Sequence, residues 1–427
     1  MGARRYLLVT WDGGGNLPPE LAVCRKLIAR GHSVRVLGDP TIESEARDAG
    51  CEFSPWTTAP HRTTRDRSGD LIRDYEWKNP LVMIKRYMRD FLAEPTPRWA
   101  ADVHAELVAR PVDAVLADFA MPAALMVAEQ LRLPSAMLSP QIWVIPTPGI
   151  PPLGPGFMPA GGPLGRMRDA LLRAVTTRLF NSALPALNAE RQARGLAPIR
   201  STYQQMLRAD RILMLTTPAF DLTSPALPRH LAWVGPQLDD PSWTETWRSP
   251  WNADDERPLV LVGLSSTFQD QVTVLRRIVD ALAALPVRAL VTRGPAVRAE
   301  EVPGANNVTV VATAPHGAVL REASLLVTHC GHGTTMKGLA AGVTLVCIPM
   351  GRDQNDTAAR VVYRGAGVRL KPTADVAAIR RAIERVLREP SYRAGAQRLA
   401  AAIRDGEGCV DVVDALEAIV NAGRAAA

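Results

Sequence analysis

Residues 323–356, ASLLVTHCGHGTTMKGLAAGVTLVCIPMGRDQND, admit few folds. The apolar run 325–327 fits a strand buried on both faces. It ends at Thr328-His329. The next four residues, Cys330-Gly331-His332-Gly333, hold two glycines, which permit a tight turn and close approach of a ligand to the backbone. Thr334-Thr335 open a helix predicted over 336–341 and stopped at Gly342. A second apolar run, 345–348, leads to Pro349 and the polar stretch 352–356. Strand, glycine turn, helix and strand make a parallel βαβ unit. A helix N-terminus behind such a turn presents free N–H groups and the positive end of its dipole, a setting for phosphate. His329 would add a donor, and Asp353-Gln354 offer partners for hydroxyls. A phosphate joined to a sugar fits this set. The plainer alternative is a βαβ unit whose glycines serve packing.

The N-terminal stretch has the same grammar. A strand over 6–10 runs into Trp11-Asp12-Gly13-Gly14-Gly15-Asn16, followed by Pro18-Pro19 and an amphipathic segment over 20–29, with the next strand at 33–37. This is the opening βαβ of a Rossmann-like domain. Pro18 occupies the place of the last glycine of a Gly-x-Gly-x-x-Gly fingerprint, which argues against a dinucleotide. Asp12 and Asn16 are either cleft residues or turn residues. Residues 113–118 form a strand ending in Asp118, either a functional acid or a cap for the helix at 122–131. Residues 55–80 are polar and predict a mobile loop. After a strand at 134–139 that contains Met137, residues 140–163 are dense in proline and glycine. A loop of that length is a lid or binding loop in many domains. Met137, Trp143, Ile145 and Phe157 are its candidates for an apolar acceptor pocket, against the alternative of a loop packing on its own domain.

Prolines and Trp233, Trp243, Trp247 and Trp251 mark an interdomain linker, and a second strand–loop–helix series starts at 259. The expected organisation is an α/β chain of two Rossmann-like domains facing each other across a cleft. It divides into residues 1–221, a linker at 222–257, a second domain at 258–404, and a C-terminal helix within 405–427 packing back on the first domain. Among 427 residues, 50 are basic and 43 acidic, a net charge of +7. There is no dense basic run of the kind a nucleic-acid arm needs, while a modest positive field suits an anionic substrate. Five cysteines without a Cys-x-x-Cys pair fit reduced thiols, and no apolar run has the length of a membrane span. A cytoplasmic protein is the expectation, with a homodimer left open.

The register His329-x-Gly331-x-Gly333-Thr334, then Pro349 and Asp353-Gln354, resembles the donor signature of the family 1 (UDP-glycosyltransferase-like) bacterial natural-product glycosyltransferases. The resemblance implies the GT-B fold. It also implies inverting transfer from a UDP- or dTDP-sugar to a small lipophilic acceptor of polyketide, flavonoid or macrolide type, with no metal and no other cofactor. It assigns donor contacts to Ser266, Thr313, Pro315, His316, His329, Gly331, Gly333, Thr334, Lys337, Asp353 and Gln354. Two positions depart from the family pattern. Lys337 replaces a glutamate that holds the ribose and cannot accept its hydrogen bonds. Asn16 replaces the usual histidine base, and Asp118 matches the aspartate that orients it. Asp12 or Asp118 would then take the proton, with Asn16 positioning the acceptor. A sugar-nucleotide 2-epimerase and a non-catalytic sugar-nucleotide-binding helper are the alternatives.

Overall fold

The computed structural model describes residues 2–426 apart from 78, 239–245, 253 and 266, so Ser266 and Trp243 lie outside the described residues. Seven short strands form the first sheet: β1 (Arg5–Val9), β2 (Ser33–Gly38), β3 (Glu52–Pro55), β4 (Ala114–Asp118), β5 (Ser135–Ser139), β6 (Arg211–Met214) and β7 (Leu231–Trp233). Their order is β3-β2-β1-β4-β5-β6-β7, and every pairing is parallel. Six more form the second sheet: β8 (Leu259–Gly263), β9 (Arg288–Thr292), β10 (Val308–Val311), β11 (Ala323–Thr328), β12 (Thr344–Cys347) and β13 (Gly367–Arg369). Their order is β10-β9-β8-β11-β12-β13, again parallel throughout. Each domain is therefore the same doubly wound sheet. In both, chain order reverses between the first strand and the fourth, and a crevice opens there at the carboxyl ends of the strands.

The central strands are apolar and buried along their length because helices cover both faces. Each sheet separates two clusters of side chains. In the first domain, Leu7, Val115 and Met137 point to one side, and Tyr6, Leu8 and Leu116 to the other. The C-terminal helix Val412–Ala426 belongs to the second of these, through Val413, Leu416 and Val420. It is pinned by Arg30–Asp414 and His32–Glu417 pairs. Among the described residues, no helix is long and apolar enough to cross a membrane.

Three features depart from the sequence expectations. The stretch read as linker contributes β7, an edge strand paired with Ile212–Met214 between two prolines, too short to show a period. The helix expected at 336–341 starts one turn earlier, at His332, so its first N–H groups lie directly behind the glycine turn. The segment expected to be a mobile loop is tied at several points. Asp102 accepts from the Thr57, Thr58 and Ala59 N–H groups. Arg67 pairs with Glu301 at 3.2 Å and Asp74 with Arg352 at 2.6 Å, both across the domain boundary.

The domains are also clamped by the helix Gln354–Tyr363. Asp221, fully buried, accepts from the Trp143 and Leu222 N–H groups at 2.7 Å each and pairs with Arg360. Arg364 donates to the carbonyls of Phe220, Pro218 and Asp221. Deleting one partner of a buried pair strands the other charge. Asp221→Ala is expected to cost about 3–5 kcal/mol, read as a fall in the urea midpoint. Asp221→Asn, which keeps an acceptor for Trp143 and Leu222, is expected to cost less. An unchanged midpoint for Asp221→Ala would show that this clamp does not hold the domains.

Candidate active site

The loop after β1 and the end of β4 meet at the first crevice, as the strand order requires. Asn16 begins the helix Leu17–Ala29 but does not cap it with its side chain. Its amide nitrogen turns inward, donating to the Trp11 carbonyl at 3.0 Å, Thr10 Oγ1 at 3.3 Å and Asp118 Oδ2 at 3.3 Å. Its Oδ1 is buried and has no hydrogen-bond partner among the described residues. Asp118 Oδ1 accepts from Trp11 Nε1 at 3.2 Å and the Ala120 N–H at 2.7 Å. Burial pushes the Asp118 pKa up, and hydrogen bonds from Glu20, Ala120, Asn16 and Trp11 oppose that.

Glu20 was not foreseen in the sequence. It lies one helical turn after Asn16, on the same face and fully buried. Its Oε2 accepts from Thr10 Oγ1 at 2.6 Å, and its carboxyl is hydrogen-bonded to Asp118. Burial first, and the Asp118 charge second, push its pKa well up. Two touching buried carboxyls do not both ionise. Burial and the Asp118 charge thus favour the neutral, donating form of Glu20, while the donors around Asp118 favour its charged form.

Asp12 stands elsewhere. Its Oδ2 accepts from Arg65 Nε and Thr41 Oγ1, each at 2.8 Å. Its N–H donates to Asp39 Oδ2 at 2.7 Å. Arg65 also pairs with Glu45. Asp12 is thus an anchor of the loop inside a charge cluster. Of the two carboxylates considered as bases, only Asp118 is joined to Asn16.

The second crevice mirrors the first. β11 ends at Thr328, and His329 follows; Cys330 takes a left-handed φ of 68° to make the turn. A Cβ on Gly331 would sit 2.6 Å from His329 Nε2, so the ring can fold back only over glycine. The helix His332–Ala340 follows without a side-chain cap, and its first internal bond is Thr335 N–H to the Gly331 carbonyl. The N–H groups of His332, Gly333 and Thr334 have no acceptor within the helix. A Cβ on Gly333 would lie 3.8 Å from the Gly15 carbonyl. The two glycine loops therefore face each other across a narrow cleft.

Around this turn the donor candidates take several positions. His329 lies at the helix N-terminus, with Nδ1 buried and unpartnered among the described residues. Asp353 and Gln354 open the helix Gln354–Tyr363. Burial raises the Asp353 pKa. Gln354 is occupied in shaping the loop: Oε1 accepts from the Met350 and Gly351 N–H groups, and Nε2 donates to Gln269. Thr313 is exposed, Pro315 precedes the short helix His316–Leu320, and the His316 ring packs on Gly263 and bonds Thr292 Oγ1 at 3.1 Å. Lys337 is half-buried on the second turn of its helix. Arg352, which sequence reasoning passed over, holds a left-handed φ of 54° and brings a cation close enough to depress His329. Among the described residues, no three His, Cys, Asp or Glu side chains are grouped to hold a metal.

The proline-rich loop does not form a pocket of the four apolar residues together. Met137, Trp143 and Ile145 are buried in one core cluster, and Trp143 Nε1 donates to Thr147. Phe157 sits apart under the Arg168 guanidinium at 4.1 Å. Between them the loop crosses to the other domain. Asp356 accepts from the Gly154 and Gly156 N–H groups at 2.6 and 3.1 Å, and Arg369 donates to the Gly156 carbonyl at 2.8 Å. A cavity of about 620 Å³ lies at the opposite ends of the two cleft helices, lined by Lys26, Ala340 and the crossovers 234–238 and 403–412.

The buried histidines make stability pH-dependent. Burial, then Arg352, push His329 down to about 4; burial, then Arg360, push His332 down to about 3. Both bind protons more readily in the unfolded chain, so their contribution is complete above about pH 6.5 and is lost as pH falls toward 4. Asp356, pushed by burial to about 6, acts in the opposite sense: its contribution is present at low pH and is lost as pH rises through 6. His329→Gln is expected to remove up to about 3 kcal/mol of the loss between pH 6.5 and 4. Asp356→Asn is expected to steepen that loss. Denaturation midpoints across this range check both.

With the geometry in place, comparison with known proteins is direct. Residues 276–419 match the family described as erythromycin biosynthesis protein CIII-like, C-terminal domain. The 4'-demethylrebeccamycin synthase of Lentzea aerocolonigenes is 31% identical over 425 residues, 98% of this chain and 100% of the relative. The crystal structure of the glycotransferase of kitacinnamycin superposes with a TM-score of 0.76 at 23% identity, over 98% of this chain and 99% of the other. The glycosyltransferase VinC, solved in complex with dTDP, gives 0.65 at 20% identity, over 99% and 100%. These likenesses span both domains. The chain belongs to the family 1 (UDP-glycosyltransferase-like) natural-product glycosyltransferases of GT-B fold.

Proposed function

We propose that this enzyme moves a sugar from a UDP- or dTDP-sugar to the hydroxyl of a small lipophilic acceptor, with inversion and with no metal ion or other cofactor. The observation that supports it most is the facing of the two crevices, with Gly333 opposite Gly15. The diphosphate would lie on the N–H groups of Gly333 and Thr334, with His329 and Arg352 beside it. Thr313, Pro315 and His316 would border the base. Asp353 would accept from sugar hydroxyls, and Gln354 would hold the loop that carries it. Lys337, a donor only, would leave the ribose to backbone groups.

The acceptor would enter from the Asn16 side. Asn16 spends its N–H groups inward and keeps Oδ1 to receive a hydrogen bond from the acceptor hydroxyl. The acceptor oxygen attacks the anomeric carbon opposite the diphosphate. One C–O bond forms while another breaks, and the configuration inverts. As that bond forms, the hydroxyl hydrogen turns from Asn16 Oδ1 to Asp118, which takes up the proton and becomes neutral. An amide polarises less than an imidazole, so a phenolic hydroxyl, more acidic than an alcohol, suits the site better. The loop anchored by Asp356 would close over the acceptor, and its apolar residues favour a lipophilic one.

Asp118→Asn is expected to lower kcat by about 10²-fold or more, while Asp12→Asn lowers stability and leaves kcat within a few-fold of the parent. Product mass spectrometry with UDP-glucose, dTDP-sugars and a phenol panel measures both. Equal turnover by Asp118→Asn and the parent would remove Asp118 from the reaction. A strict magnesium requirement would contradict diphosphate stabilisation by the helix N-terminus. Conversion of the donor sugar without any acceptor would indicate an epimerase.

A further inference from the structure

The helix Pro163–Phe180 is turned inside out. Leu164, Met167, Leu171 and Val175 are 77, 66, 66 and 45% exposed. They recur three or four residues apart and so share one face, with exposed Ala170 and Ala174 between them. Two of its arginines fold back onto the protein. Arg168 pairs with buried Asp169 at 2.7 Å and covers Phe157, and Arg173 donates to the Thr147 carbonyl at 3.5 Å. From 164 to 175 the apolar stripe runs about 17 Å along the axis. The helix Pro80–Arg86 packs beside it and adds Leu81 and Val82, both exposed. A monomeric soluble protein seldom leaves so continuous an apolar face in water unless something covers it.

The rim of this face is cationic. Lys85, Arg86, Arg89, Arg166 and Arg178 are exposed, and the nearby acids Asp90 and Glu94 are both held by Arg89. We propose that this face seats the enzyme on an anionic lipid surface, with the helix lying in the plane of the headgroups. The stripe would enter the acyl boundary while the arginines and Lys85 meet lipid phosphate. A second copy fits less well, because a two-fold contact would set one cationic rim against another. The helix follows the 140–162 loop directly and holds it through Arg168 and Arg173. A lipophilic acceptor dissolved in the bilayer would thus arrive beside that loop. The docking itself does not depend on the acceptor assigned above.

Flotation of the full-length protein with phosphatidylcholine vesicles, with and without phosphatidylglycerol, tests this. Binding is expected to vesicles carrying phosphatidylglycerol, weakening as salt rises. The triple change Leu164→Glu, Met167→Glu and Leu171→Glu should weaken it roughly tenfold or more while leaving the thermal unfolding temperature in place. The pair Arg166→Glu and Arg178→Glu should abolish the preference for phosphatidylglycerol. Absence of binding, or equal binding by the triple variant, overturns the proposal. So does a dimer in light scattering that the triple variant dissolves without any vesicle binding, which would make the face a contact between copies.

Discussion

Everything in this molecule follows from the polarity of parallel strands. When every strand of a sheet runs the same way, all carboxyl ends, and the N-termini of the helices that follow them, gather on one edge. Reversing chain order between the first and fourth strands then opens a crevice at that edge. The chain does this twice. Asn16 follows β1 and Asp118 ends β4; Ser265 follows β8 and His329 follows β11. These four positions are set by topology before any side chain is chosen. What remains is to hold the two edges face to face, and the Asp221–Arg360 pair with the Arg364 bonds does so from the helix that carries Asp353 and Gln354.

The fold was legible because its signals are local and repeated. Apolar runs such as 7–9 and 325–327, each ending at a glycine-bearing loop, have one common solution. The donor turn was legible because Gly331 leaves room for the folded-back His329 ring, and a steric demand of that kind leaves a mark in the sequence. β7 was not legible: three residues between prolines carry no period, and their strand character comes from pairing with Ile212–Met214. The helix start at His332 was missed because a left-handed Cys330 ends the turn sooner than residue preference suggests.

Long-range polar partners were the hardest to read. Asp74–Arg352 joins residues 278 apart in the chain, and nothing near either announces the other. The same holds for the clasp of Gly154 and Gly156 by Asp356. Glu20 was within reach of sequence reasoning. It stands four residues after Asn16 among Leu17, Leu21 and Cys24 on a buried face, where an acid needs a partner. Spacing offered both Asp12 and Asp118 as bases, and long-range bonds separate them: Arg65 and Thr41 hold Asp12, and Asn16 reaches Asp118.

The acid pair bears on why a site can dispense with the usual histidine. A neutral histidine that takes the acceptor's proton becomes a cation, and its aspartate partner is there to balance it. Here Asp118 starts charged and Glu20 starts neutral, so under the proposed chemistry proton uptake leaves two neutral acids. No new charge is created in the first domain. One negative charge disappears at Asp118 as one appears on the departing diphosphate, beside the helix N-terminus and the Arg352 cation. The reaction then amounts to moving an anion from a buried position that disfavours it to one built to receive it. Donor bonds from Trp11, Ala120 and Asn16 favour the ionised form of Asp118 against its burial, and Glu20 supplies a further one. On this account Glu20 tunes the base without touching the substrate. That explains how an acid comes to be fully buried next to another, a placement that packing alone would not favour.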